Sequence, residues 1–106
     1  MPPAQVGTYL KIVTPASEYD RPPTFLRGFA PFFPDQFARK GYWGYAELDF
    51  AIQPDGSTAD VRLIEATIKD FGWAAARAVQ QWKFAPALKN GRPVRVRARL
   101  PFTFRS

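Results

Sequence analysis

The sequence contains no cysteine and no histidine. Without cysteine the chain cannot form a disulfide, a thiolate nucleophile or a cysteine metal site. Without histidine it lacks the most common general base and metal ligand. Nothing else in the sequence pairs a nucleophile with a base, so we expect a protein that is not an enzyme and that carries no metal or cofactor.

Long apolar runs are missing as well. No stretch approaches the roughly 20 apolar residues that a membrane-spanning helix needs, and the first residues lack the apolar segment of a signal peptide. Apolar residues still make up 46% of the 106 residues and aromatic residues 16%, which is enough for one domain with a modest core. Pro2 and Pro3 fit the end of a linker, so the sequence leaves open whether this is a piece of a longer chain.

Acidic residues are absent from the last third of the chain. All nine lie at or before Asp70, whereas eight Lys or Arg occur from Phe71 onward, and the net charge is +6. A basic half of this kind suits nucleic acid, anionic lipid or an acidic protein partner, or it serves only solubility. Charge alone leaves these alternatives open.

Two runs with strand periodicity occupy the centre of the sequence. Apolar and polar residues alternate from Tyr45 to Gln53 and again from Ser57 to Glu65, and the turn residues Pro54, Asp55 and Gly56 separate the two runs. This pattern predicts a β-hairpin. Helical signals flank it: one short helix over residues 34–41, and a second from about Asp70, as its N-cap, to Trp82.

Residues 1–31 form an N-terminal extension that we predict to be partly irregular, with a possible short strand at Tyr9–Val13. Its phenylalanines, such as Phe25 and Phe29, either pack onto the domain or form an exposed partner surface. Trp73 lies off the apolar face of the second helix, and we interpret it as packing at an edge rather than binding a partner.

The stretch VRVRARLPFTFR, residues 94–105, alternates basic and apolar residues. A flexible basic arm needs no such spacing, so the pattern predicts a half-buried strand of twelve residues. Carboxylates on the polar faces of the hairpin can oppose its arginines across the sheet. The residues concerned are Arg95, Arg97 and Arg99, with Glu47, Asp49 and Asp60. Arginines paired in this way favour a protein partner and argue against nucleic acid.

Pro101 has no N–H for a sheet ladder, so we place this last strand at an edge of the sheet, at least in its second half. An open edge can accept an extended peptide as an added strand or pair with its own copy. Proline at Val96 or Ala98 is then expected to weaken such pairing. The element order predicts an α+β fold of two layers: a three-stranded antiparallel-type sheet in the order 2-1-3, with two helices on one face.

Four segments at compatible spacing resemble the TonB C-terminal domain family over about residues 32–105. They comprise an aromatic-Pro pair before a short helix and two glycines three residues apart, a turn Asp-Gly, a Trp-basic-Phe-x-Pro-Ala signature and a Gly-x-Pro-Val that opens the last strand. In this sequence they are Phe33–Gly44, Asp55-Gly56, Trp82–Ala87 and Gly91–Val94. Residues 32–106 are therefore identified as the family domain.

The resemblance implies the periplasmic domain of an energy transducer that couples the inner membrane to outer-membrane transporters. It implies an inner-membrane anchor in the full-length protein, through an N-terminal helix absent here, and an extended transporter segment that pairs beside the last strand. Carried over by position, the partner-binding residues are Phe33, Pro34, Val94, Arg95, Val96, Arg97, Ala98, Arg99, Leu100 and Phe102. The alternative is an envelope scaffold, or a domain that forms a homodimer through its C-terminal strand.

Overall fold

The computed structural model describes residues 9–34, 41 and 43–105. A short 3-10 turn, Ala16–Glu18, follows the first strand. The elements in chain order are β1 (Lys11–Ile12), β2 (Thr24–Arg27), β3 (Trp43–Ile52), β4 (Thr58–Ala66), α1 (Lys69–Val79), β5 (Lys83–Ala85), β6 (Ala87–Lys89), β7 (Arg92–Val94) and β8 (Val96–Arg105). The helix predicted over residues 34–41 lies, apart from its two end residues, outside the described residues. None of the described helices is both long and apolar enough to span a membrane.

The predicted central hairpin is confirmed as β3 and β4. The N–H of Gly56 donates to the carbonyl of Gln53 across 2.8 Å, and the N–H of Gln53 donates to the carbonyl of Ser57. Asp55 closes the turn by accepting hydrogen bonds from the hydroxyl and the N–H of Ser57. These two bonds hold the pKa of Asp55 below its usual value.

The main sheet has four strands in the order β1-β8-β3-β4, with antiparallel neighbours. The α+β class is confirmed, and the predicted order 2-1-3 is present as β4-β3-β8. The prediction of a three-stranded sheet is wrong because β1, from the N-terminal extension, adds a fourth strand outside β8. One helix, α1, covers one face of this sheet among the described residues.

The core lies between α1 and the sheet. Alternate positions of β3 and β8 supply side chains from the sheet, and α1 and β5 supply others. The fully buried large side chains are Phe50, Phe71, Phe84, Phe102, Leu48, Ile52, Leu100, Val79 and Val96. The helix begins at Lys69 with Ile68 as its N-cap. Asp70 is therefore not the cap that we predicted, but a first-turn residue beside the positive end of the helix dipole.

The helix also ends at Val79, three residues before the predicted end at Trp82. The N–H of Trp82 donates to the Val79 carbonyl in a turn. This turn directs the indole into the core, where Trp82 is 3% exposed.

The N-terminal extension is held against the domain at several points. β2 pairs antiparallel with β5. The N–H of Arg21 donates to the carbonyl of Leu88, and the carbonyl of Arg21 accepts from the N–H of Leu88. Asp20 accepts from the N–H of Asn90 at 2.6 Å. That hydrogen bond is the main reason why the pKa of Asp20 lies below its usual value.

The predicted twelve-residue strand is divided in the structure. Asn90 and Gly91 both adopt positive φ angles, 53° and 78°, as a two-residue hairpin turn of the primed type requires. This turn pairs β7 with β6, so that Val94 lies opposite Ala87. The long strand β8 begins only at Val96, and the inclusion of Val94 in it is wrong.

Candidate functional site

The backbone of β8 has a defined inner and outer side. The N–H of Arg97 donates to Oγ1 of Thr14 and its carbonyl accepts from the N–H of Val13, both at 2.8 Å. Backbone groups of successive strand residues point to opposite sides, and the pairing of β8 with β3 runs without a bulge from Val96 to Arg105. Odd-numbered residues of β8 therefore direct their backbone groups outward, and even-numbered residues direct theirs toward β3.

The first half of this outer side is occupied. Lys11 lies opposite Arg99, and Ile12 lies opposite Ala98, in antiparallel register. Three of the predicted partner-binding residues, 97–99, are therefore covered by the chain's own N-terminal extension. Sequence reasoning missed this contact, although it identified the possible strand that makes it.

The second half of the outer side is open. No strand among the described residues pairs with β8 from Leu100 to Arg105 on the side away from β3. Pro101 belongs to the outward set, so its missing N–H costs the sheet nothing, as we predicted for an edge. Thr103 presents both its N–H and its carbonyl to the outside. This half of β8 has the geometry of a strand that accepts another strand.

The side chains of the predicted site residues divide in the same way. Those of Val96, Ala98, Leu100 and Phe102 are buried in the core, with at most 1% exposure. They stabilise the strand but cannot contact a partner without unfolding. A partner can reach β8 only through its outward backbone groups and through the side chains of the opposite, charged face.

Phe33 lies at the open end of β8. Its ring packs against Phe104 at 6.4 Å and against Phe71 at 5.5 Å between ring centroids, and Phe71 stacks on Phe104 at 4.8 Å. Gly44 makes room for this cluster, because a Cβ at residue 44 would lie 1.9 Å from the Phe71 ring. Phe33 therefore lies beside the open half of β8. Pro34 follows it and is partly buried.

Asp49 is the centre of the charged face. It is 8% exposed, accepts from Nε of Arg97 at 2.8 Å, and accepts from Nε of Arg99 at 3.3 Å. Burial alone would raise the pKa of Asp49, but the hydrogen bonds and charges of the two arginines outweigh burial, so its pKa lies below the usual value. Both arginines are thereby committed to a structural carboxylate.

Asp60 lies in a β-bulge of β4, and its carboxylate pairs with arginines near the start of β8. The register between β3 and β4 shifts by one residue at this point, and Asp60 has a φ of 52°. Its carboxylate lies 2.9 Å from Arg95 and 3.7 Å from Arg97. The predicted opposition of arginines and carboxylates is confirmed for Asp49 and Asp60.

Glu47 does not take part in that opposition. It lies opposite Glu65 on β4 and opposite Pro101 on β8, and it forms no ion pair within the described part of the chain. The prediction that Glu47 opposes an arginine is wrong, because its register position on β8 holds a proline. The two glutamates add to the effect of burial in raising the pKa of Tyr45.

A second surface lies on the outer side of α1. An open groove of about 480 Å³ separates the helix from residues 29–34, and Trp73, Ala74 and Arg77 line its helical wall. Phe29, Phe32 and Trp73 are 76%, 85% and 65% exposed. The interpretation of Trp73 as a packed edge residue is therefore wrong. Phe25, by contrast, packs on Trp82 at 5.0 Å.

Metal-ligating side chains do not gather anywhere in the described ranges. No three of His, Cys, Asp and Glu are close enough there to hold an ion. The candidate surfaces present backbone hydrogen-bonding groups, paired charges and aromatic side chains.

The geometry defines a small α+β domain whose last long strand is half open at its outer edge. The family model for the C-terminal domain of the Gram-negative bacterial TonB protein matches residues 30–106, and the chain belongs to that family.

Two solved structures show the same fold. A solution NMR structure of the TonB C-terminal domain from Pseudomonas aeruginosa superposes with a TM-score of 0.62 at 24% identity, over 81% of this chain and 86% of that one. The TonB2 protein from Vibrio anguillarum gives a TM-score of 0.56 at 22% identity, over 81% of each chain. A search of curated proteins found no match.

Proposed function

We propose that the domain is the periplasmic protein-binding module of a TonB-like energy transducer. An extended segment of an outer-membrane transporter pairs as an added strand with the outer edge of β8, and the anchored full-length protein couples the inner membrane to that transporter. The observation that carries the proposal is the outward backbone of Thr103, whose N–H and carbonyl meet no strand among the described residues. Membership of the TonB family supports the choice of partner.

Strand addition suits this edge because its hydrogen-bonding groups are already aligned. The carbonyl of Pro101 and both backbone groups of Thr103 face outward in the register that β3 imposes. An incoming strand satisfies them through its own backbone, so affinity does not depend on a particular partner sequence. Selectivity then comes from side chains, and the partly buried ring of Phe33, which packs on Phe104, supplies an apolar contact at this end.

The charge distribution also favours a protein strand over nucleic acid. Arg95, Arg97 and Arg99 each lie within 4 Å of a carboxylate, so releasing them to phosphates would leave Asp49 or Asp60 unpaired. Binding through the backbone leaves these pairs intact. We therefore expect affinity for the partner peptide to change little with salt, unlike phosphate binding.

The test is a titration of the domain with synthetic peptides from the N-terminal segments of outer-membrane transporters, followed by backbone amide shifts. We expect shifts at Leu100, Phe102, Thr103 and Phe33. Substitution Thr103→Pro removes the outward N–H, and affinity should fall about tenfold or more, as the loss of ladder hydrogen bonds implies. Thr103→Ala keeps the backbone and is the matched control.

Unchanged affinity in a folded Thr103→Pro variant would contradict pairing at this edge. Proline at Val96 or Ala98, which the sequence suggested, is not a suitable test. The N–H groups of these residues face β3, so proline there breaks the internal ladder. A concentration-dependent dimer that Thr103→Pro abolishes, with no binding of any transporter peptide, would instead favour pairing of β8 with a second copy.

A further inference from the structure

We propose that β1 is a built-in competitor for the partner strand. Residues 11–14 occupy the outer edge of β8 over residues 97–99, and they must leave before an incoming strand can pair there. The inference rests on the proposed function, since it concerns the regulation of the same edge. It adds that the edge exists in a half-covered and a fully open state.

The first support is that β1 already does what an added strand does. It lies antiparallel to β8 with Lys11 opposite Arg99. The N–H of Val13 and the hydroxyl of Thr14 bind the outward carbonyl and N–H of Arg97, each at 2.8 Å. A partner strand over the same residues needs these same groups, so the two strands exclude each other.

The second support is that β1 is weakly held. Only two residues have strand pairing, Val13 is 44% exposed, and Lys11 forms no ion pair with another described residue. Among the described residues of this segment, Leu10 and Ile12 pack against the core, and both are only partly buried. A two-residue strand with so little buried surface opens at low free-energy cost. Pro15 follows directly and cannot donate a further ladder hydrogen bond.

The third support is that β1 can detach without loss of the rest of the extension. β2 remains paired with β5, and Asp20 remains bound to the N–H of Asn90. These contacts keep the chain from Asp20 to Arg27 on the domain. Release of β1 is therefore a local event, confined to the residues before the 3-10 turn.

The fourth support is the position of Pro101. Its missing N–H interrupts the outward ladder directly after Arg99, where the covered half ends. The open half begins at the same point and stays accessible while β1 is bound. An incoming strand can therefore pair at Thr103 first and then replace β1 residue by residue toward Arg97.

A reversible lock tests the proposal. Ile12 and Ala98 form a pair without mutual backbone hydrogen bonds, by alternation from Arg97, and such pairs bring Cβ atoms close enough for a disulfide. The chain has no other cysteine, so Ile12→Cys with Ala98→Cys yields one defined bridge. The single Ala98→Cys variant is the control for core disturbance.

Two probes are used: the transporter peptides described above and the peptide YLKIVTP, which copies residues 9–15. We expect the oxidised double variant to bind either probe about tenfold more weakly than its reduced form, as loss of ordinary ladder hydrogen bonds implies. Amide shifts at Arg97 and Arg99 should vanish on oxidation, whereas the shift at Thr103 should remain. Val13→Pro removes one hydrogen bond of β1 and should strengthen binding of both probes.

The outcomes separate the two proposals. Equal affinity of transporter peptides for the oxidised and reduced forms, or no gain in Val13→Pro, overturns the competitor and leaves the proposed function standing. Binding of YLKIVTP at Arg97 in Val13→Pro, with no transporter peptide bound by any form, supports the competitor and overturns the proposed function. No binding of either probe to any form overturns both.

Discussion

The two halves of β8 have the same alternation and the same inner neighbour, but they differ on the outside. The half around Arg97 and Arg99 is covered by β1 and tied to Asp49 on the charged face. The half from Leu100 to Arg105 has no outer strand among the described residues, and its outward set begins with a proline. The outer edge of the first half is thus paired by the chain itself, whereas the outer edge of the second half has no pairing strand among the described residues.

The difference shows that side-chain pattern and edge occupancy are separate properties. Alternation decides which side chains enter the core, because one face of the sheet meets α1. It does not decide whether the hydrogen-bonding edge is filled, since that depends on a distant segment. Four substitutions or conditions, taken from the largest expected effect to the smallest, test this comparison.

Leu100→Ala truncates a core side chain, and both halves of β8 depend on the core. Leu100 is fully buried at their boundary, so the cavity should lower the free energy of unfolding by about 2–5 kcal/mol. Chemical denaturation measures it. Thr103→Ala, on the exposed face of the same strand, should stay within about 0.5 kcal/mol of the original. Similar losses in both variants would mean that β8 is not held by its inner face.

Asp49→Ala acts on the covered half. It leaves the guanidinium groups of Arg97 and Arg99 without their shared acceptor, and we expect a loss of about 1–3 kcal/mol. Glu47→Ala, on the same strand and face but without an ion pair in the described part, should change stability by about 0.5 kcal/mol at most. The midpoints of denaturant unfolding, compared at equal slope, give the change in free energy of unfolding for both variants. If Glu47→Ala costs as much as Asp49→Ala, the charged face does not depend on the Asp49 pairs.

Thr14→Ala weakens the attachment of the β1 segment to β8. The N–H of Arg97 loses its acceptor, which should lower stability by about 0.5–1.5 kcal/mol. Native-state hydrogen exchange should show a faster amide at Arg97, while the inward amide of Ala98 keeps its protection. Ser17→Ala is the control, because among the described residues Ser17 takes part in a hydrogen bond only through its backbone carbonyl, which accepts from Lys89. Unchanged exchange at Arg97 would show that Thr14 does not hold the edge.

Acid should act on the covered half through Asp49, and we expect this effect to be the smallest of the four. The pKa of Asp49 is lowered in the folded chain, so its contribution to stability is complete above the unfolded value of about 3.9. It is lost as pH falls through the folded pKa. Asp49→Asn should therefore flatten the decline of unfolding free energy on the acid side. An equally steep decline would assign the acid sensitivity to other carboxylates, such as Asp55.

The features that could be predicted from the sequence are those that follow from the local alternation of apolar and polar residues. The hairpin of β3 and β4 has a period of two and a turn with Asp and Gly, and both are visible within a few residues of each other. The pairing of Arg97 with Asp49 followed from the same parity. Pro101 indicated the edge because a missing N–H has one physical meaning in a strand.

The remaining features depend on contacts that no local pattern encodes. β1 has only two residues. It forms a strand because it pairs with the outward backbone of β8 around Arg97, which lies far along the chain. The break before Val96 arises because the turn at Asn90 and Gly91 forms its own hairpin, although the alternation runs through it. The bulge at Asp60 rests on a left-handed backbone that aspartate adopts only occasionally.

The burial of Trp82 gives the molecule a natural optical label. Trp43 and Trp73 lie largely in water, whereas the indole of Trp82 is shielded and donates to the carbonyl of Phe29 across 2.8 Å. Emission at short wavelength that resists a soluble quencher therefore comes from the joint between the extension and the domain. Since this joint is separate from β1, departure of the competing strand leaves that component of the fluorescence unchanged, and only loosening of the whole extension shifts it to the red.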